Sequence, residues 1–193
     1  SQLIIMSSLL PNEQVRMLLS LLQSEDVRGR MQALAGIDFL TDQGDSMKSQ
    51  LVVQGVVEAM LEHINKTGEE LKEGDPDWKN HSLLHHHRQT VASILRSLTC
   101  GHPSNKKRIV QRGAMTFYLE LLEGFVSSPN AKAWQDEAYM AALGIWCVCY
   151  SVPENQLLAV QEGAVSMLLQ LTQVQEGQHA CRPPPPPPPP PPP

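Results

Sequence analysis

Four histidines, His81, His85, His86 and His87, are the side chains of this sequence best suited to metal chemistry. His81 and His85 are four residues apart, so on a helix both would face one side, as two zinc ligands can. No carboxylate or cysteine follows at a matching helical spacing, and the cluster borders a polar segment. The pattern therefore favours a solvated helix start, and we expect neither a metal nor any other cofactor.

Two clusters of charge have an equally ordinary explanation. The acidic segment Glu69–Asp77 lacks the alternating ligands and the closing glutamate of an EF-hand. Lys106-Lys107-Arg108, followed by Arg112, is a small basic patch that could meet an acidic partner or a phosphate group. We interpret both clusters as solvated surface.

The sequence carries no recognisable catalytic motif. It has no Gly-rich phosphate loop, no GxSxG elbow and no HExxH pair, and Ser97–His102 is too weak a combination to indicate a nucleophile and its base. The triplets that begin at Asn65 and Asn80 match the glycosylation sequon, but such triplets arise often by chance. We therefore expect a protein that is not an enzyme.

Composition excludes several further classes of protein. The 193 residues include 15 Lys and Arg against 20 Asp and Glu, which argues against a nucleic-acid binder. The four cysteines are too few for a disulfide scaffold, and Cys147 and Cys149 would diverge on a helix, so we expect buried, reduced thiols and a cytoplasmic location. Residues 1–6 lack an initiator Met and a basic region, which suggests the cut edge of a longer protein.

Two sequence patterns recur three times along the chain. In the first, a glycine (Gly55, Gly113 and Gly163) follows one short helical segment and precedes another, which has apolar residues at helical spacing. Glycine suits a tight corner there, because it adopts positive φ or lets two helices approach closely. The second pattern comprises Ala33–Ile37, Ile94–Leu98 and Ala142–Trp146. The leucine at its second position (Leu34, Leu95 and Leu143) precedes the glycine of the first pattern by 21, 18 and 20 residues. A near-constant offset indicates an internal repeat.

This alternation resembles the armadillo repeat, most closely at Asn105–Ala114 and Asn155–Ala164. The resemblance implies an all-α fold, namely a short right-handed α-solenoid of about three repeats in residues 1–173. Successive glycines are 58 and 50 residues apart, longer than the roughly 40–47 of such repeats, so we expect inserted loops near 66–81 and 127–135. A polar linker, 174–182, and a disordered polyproline tract, 183–193, would follow.

The resemblance also implies a concave groove for a protein partner. Armadillo proteins that hold extended peptides carry asparagine on the third helix of each repeat, and often tryptophan one turn earlier. The corresponding positions here hold Gly36, Ser97 and Ile145, and one turn earlier Gln32, Ser93 and Ala141. We therefore predict a smooth groove that could accept a helix or a partner domain, with Arg88, Gln89 and Arg96 as its polar groups, or else positions that contact only solvent.

The aromatic residues divide into two predicted groups. Trp146 and Tyr139 lie in an apolar helical run, which favours core packing. Trp78 and Trp134 lie in the predicted loops, where an exposed tryptophan is a candidate partner contact.

Eleven of the 16 prolines form one run, Pro183–Pro193. Such a run forms a polyproline II rod about 34 Å long, at 3.1 Å per residue. It could bind an SH3, WW or profilin-type domain, act as a rigid spacer, or be a low-complexity repeat without a function of its own.

Together these features predict a non-catalytic protein-interaction scaffold, part of a larger protein, with no nucleic-acid or membrane partner. The alternative is a regulatory helical region of a larger enzyme or kinase-like protein, or of a formin-like actin regulator.

Overall fold

The computed structural model describes residues 11–128 and 131–180, without the side chains of 131 and 174–180. Within these residues the chain is all-helical and contains no strand, as the sequence predicts. The polyproline tract Pro183–Pro193 lies outside the described residues.

Ten α-helices follow one another along the described chain. They are α1 (Pro11–Leu22), α2 (Val27–Thr41), α3 (Asp45–Val53), α4 (Val56–Lys72), α5 (Ser82–Thr99), α6 (Pro103–Gln111), α7 (Ala114–Ser127), α8 (Gln135–Cys149), α9 (Pro153–Gln161) and α10 (Ala164–Ala180). Short 3-10 turns, Trp78–Asn80 and Ala131–Trp134, precede α5 and α8.

The helices recur in a fixed order of lengths. Helices α3, α6 and α9 have nine residues each, and each is followed after one glycine corner by a longer helix of 14 to 17 residues. The corner glycines Gly55, Gly113 and Gly163 have φ angles of 87°, 99° and 85°. Of the two reasons that the sequence offered for these glycines, the structure shows the positive φ. This conformation costs an L-residue with a side chain roughly 1–2 kcal/mol.

A buried asparagine fastens two of the short helices to the long helix before them. Asn105 of α6 donates its Nδ2 hydrogen to the carbonyl oxygen of Leu98 at 3.1 Å, and Asn155 of α9 donates to that of Val148 at 2.8 Å. The last carbonyls of a helix have no partner inside it. Each asparagine therefore gives a hydrogen-bond partner to a carbonyl group at the end of the preceding helix, and it holds the start of the next helix against that end.

One hydrophobic core runs through the described helices, from Val15 of α1 to Ala164 of α10. The most extensive helix packing is between α5 and α8, α7 and α8, and α1 and α2. No helix buries its apolar side alone, because the neighbouring helices along the chain supply the other half of each contact. Full burial of one such leucine or valine is worth about 1.5–3 kcal/mol.

The helix pair α9 and α10 repeats the pattern of apolar residues in α6 and α7, but these residues are not buried to the same extent. Val110, Met115 and Leu119 of α6 and α7 are 6%, 1% and 7% exposed. The residues fifty positions later, Val160, Val165 and Leu169, are 60%, 51% and 60% exposed. In the described structure, α9 and α10 therefore present an apolar surface that α6 and α7 bury against their successors.

Two predicted segment boundaries are wrong. Helix α4 continues to Lys72, so residues 66–72 are helical and the first insertion is shorter than 66–81. Helix α10 continues to Ala180, so most of the predicted linker 174–182 is also helical. Both stretches are polar in composition, but glutamate, glutamine, lysine and leucine are good helix formers. Polarity alone therefore did not mark the ends of these helices.

The predicted basic patch is not uniformly solvated. Lys106 is only 8% exposed, and its Nζ donates to the carbonyl oxygen of Tyr150 at 2.8 Å, beyond the end of α8. A lysine side chain near a helix C-terminus commonly satisfies its last carbonyls. Lys107, in contrast, is exposed and forms an ion pair with Glu154 at 2.7 Å.

Replacing Gly113 by valine should destabilise the protein by about 2 kcal/mol or more, because a β-branched residue strongly resists positive φ. An added Cβ would also lie 3.4 Å from Leu61 Cδ1. Urea unfolding monitored by circular dichroism measures the change. Gly74→Val is the matched control, because nothing lies within 4 Å of its added Cβ and its φ is not positive. Equal midpoints for the two variants would contradict the corner's role.

Candidate functional site

Trp134 is buried, not an exposed loop residue as predicted. Its side chain is 4% exposed, and its indole Nε1 donates to Asn80 Oδ1 at 2.7 Å. The guanidinium of Arg88 lies 4.6 Å from the ring centre, a cation–π contact, and the His85 ring meets it edge-on at 5.0 Å. Trp134 therefore fixes the segment before α8 to α5 and cannot serve as a free partner contact.

Two glycines provide the space for the two tryptophans of the inserted segments. A Cβ added to Gly124 would lie 2.1 Å from Trp134 Cζ3, and one added to Gly68 would lie 3.0 Å from Trp78 Cζ3. Each glycine precedes its tryptophan by ten residues. This repeated spacing is the signal in the sequence from which the two glycine–tryptophan contacts could have been predicted.

Trp78 and Trp134 line a cleft of about 700 Å³ between α4, α5 and α7. Its other lining residues include Arg88, Phe117, Glu120 and Glu123. Arg88 also donates from Nη1 to the carbonyl oxygen of Lys79 at 3.1 Å, and burial lowers its pKa. The cleft therefore combines two tryptophans packed on glycines with charged residues.

The histidine cluster is only partly solvated. His86 is exposed, but His85 is buried and contacts the carboxylate of Glu137, which is also buried. Gln89 donates to the second carboxylate oxygen of Glu137 at 3.3 Å. The sequence could not anticipate this group, because Glu137 lies on α8, more than fifty residues along the chain.

His87 is fully buried and pairs with His63 of α4, with 3.0 Å between His63 Nε2 and His87 Nδ1. Burial lowers the pKa of His63 to about 3 and that of His87 to about 4, and the mutual repulsion of the two rings adds to the shift of His63. Both rings are therefore neutral near pH 7. Among the residues described, no group of three or more His, Cys, Asp or Glu side chains could hold a metal ion.

Three cysteines are described, and all are free thiols. Cys147 is buried, Cys149 is half-buried and Cys100 is exposed, so the expected burial fails for Cys100. Burial raises the pKa of Cys147 and Cys149, which keeps both protonated at neutral pH.

The predicted groove residues do not share one surface. Ala141 and Ile145 are 0% and 4% exposed, and Gly36 is buried beneath Leu18. Gln32 is exposed. Of the remaining predicted positions, Arg88, Gln89, Ser93, Arg96, Ser97 and Trp78 are half-buried. The position alignment on α8 was therefore wrong, and a different side of that helix faces solvent.

The solvent-facing side of α8 carries the rings of Tyr139 and Trp146, and Tyr150 follows directly after the helix ends at Cys149. Tyr139, Trp146 and Tyr150 are 63%, 62% and 60% exposed, so the predicted core packing of Tyr139 and Trp146 is wrong. Positions separated by seven residues fall on one side of a helix. The rings of Trp146 and Tyr150 are 5.7 Å apart, and Leu143 lies half-buried between the first two aromatics. We call these four residues the aromatic stripe.

The buried side of α8 is hard to predict from the sequence, because the helix is apolar on more than one side. Its packed side carries small residues, including Ala138, Ala141 and Gly144, which let the neighbouring helix approach. A Cβ on Gly144 would lie 2.2 Å from Tyr118 Cζ, so the tyrosine ring occupies the place of a side chain. The small residues were the available signal for which side is packed.

Comparison of the chain with protein-family models, curated proteins and solved structures gives no match. Within the described residues, no helix is both long and apolar enough to cross a membrane. The described residues form an all-helical structure that exposes the aromatic stripe on and directly after α8.

Gly124→Ala should destabilise the protein by about 1–3 kcal/mol, because the new methyl group would overlap the Trp134 ring in a packed site. Alanine at an unconstrained helical glycine normally stabilises by up to about 1 kcal/mol. Gly29→Ala on α2 is the control, since its nearest added contact is 3.5 Å. The change in stability is measured by thermal unfolding. A Tm for Gly124→Ala equal to or higher than the Tm for Gly29→Ala would contradict the contact with Trp134.

Acid should destabilise the fold through His63 and His87. Their pKa values in the folded protein, about 3 and about 4, lie below the ordinary histidine pKa of 6.5. Below pH 6.5 the unfolded chain therefore binds protons that the folded chain does not bind. Stability is then lost as pH falls, by about 2 kcal/mol per histidine at pH 5. Urea unfolding at pH 7 and pH 5 measures this loss.

The double variant His63→Gln/His87→Gln should lose most of that pH dependence, because glutamine does not titrate. His86→Gln, at the exposed neighbouring position, should keep it. An unchanged difference between pH 7 and pH 5 in the double variant would show that other groups cause the acid sensitivity.

Proposed function

We propose that this chain is a non-catalytic protein-interaction module with a short armadillo-like α-solenoid fold, and that the aromatic stripe is its contact surface. The recurring order of helix lengths and the three positive-φ glycine corners support the solenoid. So do the buried asparagines that join successive units. Units that bury their apolar sides only against neighbours are typical of such folds.

The exposure of the aromatic stripe is the observation that carries the proposal. Three aromatic side chains at least 60% exposed, two on α8 and one directly after it, are a poor arrangement for an isolated surface. Covering tyrosine and tryptophan is strongly favourable, since each buries about 150–250 Å² in a packed contact. Interface residues that dominate binding are enriched in these two types.

The stripe has the chemistry of a binding surface. Its rings offer apolar faces, two phenol groups and one indole N–H. Lys106 lies 5.1 Å from the centre of the Tyr150 ring and also holds the backbone carbonyl of Tyr150, which supports that end of the stripe. We place the module in the cytoplasm, where its protonated thiols would remain reduced.

Capture of partners from a cell lysate, quantified by mass spectrometry, tests the function. Trp146→Ser should reduce capture of specific partners at least tenfold, because an interface tryptophan commonly contributes more than 1.4 kcal/mol. The variant should fold normally, since Trp146 is 62% exposed.

Leu157→Ser on α9 is the matched control, because Leu157 is also 60% exposed but is not part of the stripe. It should capture the same partners as the unmodified chain. If Trp146→Ser retains every partner, the stripe is not the contact surface.

A further inference from the structure

The cleft of about 700 Å³ between α4, α5 and α7 is a second candidate site. Ligand sites in proteins commonly enclose roughly 300–1,000 Å³, so the cleft has the size of a binding site. None of the four residues of the aromatic stripe lines it. A ligand in the cleft would therefore bind apart from the surface that carries the proposed function.

The walls of the cleft are held in place by contacts within the protein. Trp134 packs on Gly124, and its indole N–H donates to Asn80 Oδ1 at 2.7 Å. Trp78 packs on Gly68. Both rings are therefore positioned before any ligand arrives, and a site with fixed walls loses less conformational entropy when it binds.

Acidic side chains outnumber basic ones around the cleft. Its lining includes four carboxylates and two cations, namely Glu69, Asp77, Glu120, Glu123, Lys79 and Arg88. Two of the carboxylates have partners, because Lys72 pairs with Glu69 at 3.5 Å and Asn80 donates to Asp77 at 2.6 Å. The excess of negative charge favours a cationic ligand.

The two carboxylates of α7 lack sufficient compensating charge. Glu120 and Glu123 are three residues apart, so their side chains are neighbours on the helix surface. Among the described residues, neither forms an ion pair. Burial raises the pKa of Glu120; the charge of Arg88 opposes this shift, and the like charge of Glu123 adds to it. A cation bound in the cleft would offset the repulsion between the two carboxylates.

The tryptophan rings of the cleft already attract cations. The guanidinium of Arg88 lies 4.6 Å from the centre of the Trp134 ring, and Lys79 Nζ lies 5.7 Å from that of Trp78. Lys79 is exposed, so a ligand can take its place over the Trp78 ring. A guanidinium suits both features of the cleft, because it stacks on an indole and donates two hydrogens to one carboxylate.

We propose that this cleft binds an arginine-containing basic segment of a partner protein, with Trp78, Glu120 and Glu123 as its main contacts. The ligand is a peptide segment because the carboxylates stand on two sides of the cleft, Glu69 on α4 and the pair on α7, and so bind more than one positive charge. This site is additional to the aromatic stripe.

Fluorescence anisotropy of a fluorescein-labelled tetra-arginine peptide tests the site in the full chain, at low salt because screening weakens charge pairs. Glu120→Gln/Glu123→Gln should weaken binding about tenfold, because it removes the charge-assisted hydrogen bonds. Glu62→Gln/Glu162→Gln is the matched control, since it removes the same charge at exposed positions outside the cleft. It should bind like the unmodified chain, and equal affinities of the two double variants would overturn the proposal.

The preference for a guanidinium is tested with a tetra-lysine peptide of the same charge. Tetra-arginine should bind about fivefold more tightly to the unmodified chain, because an ammonium neither stacks on an indole nor forks to a carboxylate. Trp78→Leu should reduce this preference, and urea unfolding checks that the variant is folded. Equal binding of the two peptides to the unmodified chain would overturn the assignment of an arginine segment.

Two further measurements identify the source and the place of binding. Spermine that competes more strongly than unlabelled tetra-arginine would assign the cleft to a free polyamine and overturn the proposal. Trp146→Ser should leave the affinity for tetra-arginine unchanged, because Trp146 does not line the cleft. A tenfold loss in that variant would place the peptide on the aromatic stripe and overturn the cleft as its site.

Discussion

The arrangement of this protein depends on a single backbone conformation used three times. A nine-residue helix must turn sharply into a longer one at Gly55, Gly113 and Gly163, and each turn is made by one residue with positive φ. Because the corner fixes the angle between the two helices, it also fixes which side of the long helix meets the next unit.

The sequence predicted the parts of the fold that depend on local chemistry. The helical class and the corner glycines are determined by residue types a few positions apart. Its errors concern contacts between distant positions. Glu137 meets His85, and His63 meets His87, across 52 and 24 residues. No local pattern specifies that a histidine near a polar segment will be buried by another helix.

The candidate site was harder to predict than the fold. From the sequence, Trp146 is predicted to lie in the core and Trp134 on the surface, and the structure reverses both. Hydrophobic periodicity identifies the buried side of a helix only when the other side is polar. Helix α8 has aromatic residues on one side and alanine, glycine and isoleucine on the other. Close packing against Tyr118 selects the side with small residues, because large rings cannot fit there.

The bare apolar residues of α9 and α10 imply that stability is unequal along the chain. In a stack of units, each one is stabilised by its own contacts and by those with its two neighbours. Val160, Val165 and Leu169 lack the cover that their counterparts Val110, Met115 and Leu119 have. The helices that carry them are therefore less protected than their counterparts α6 and α7. Amide hydrogens there would exchange with solvent through local opening, before those of α5 and α8 at the centre.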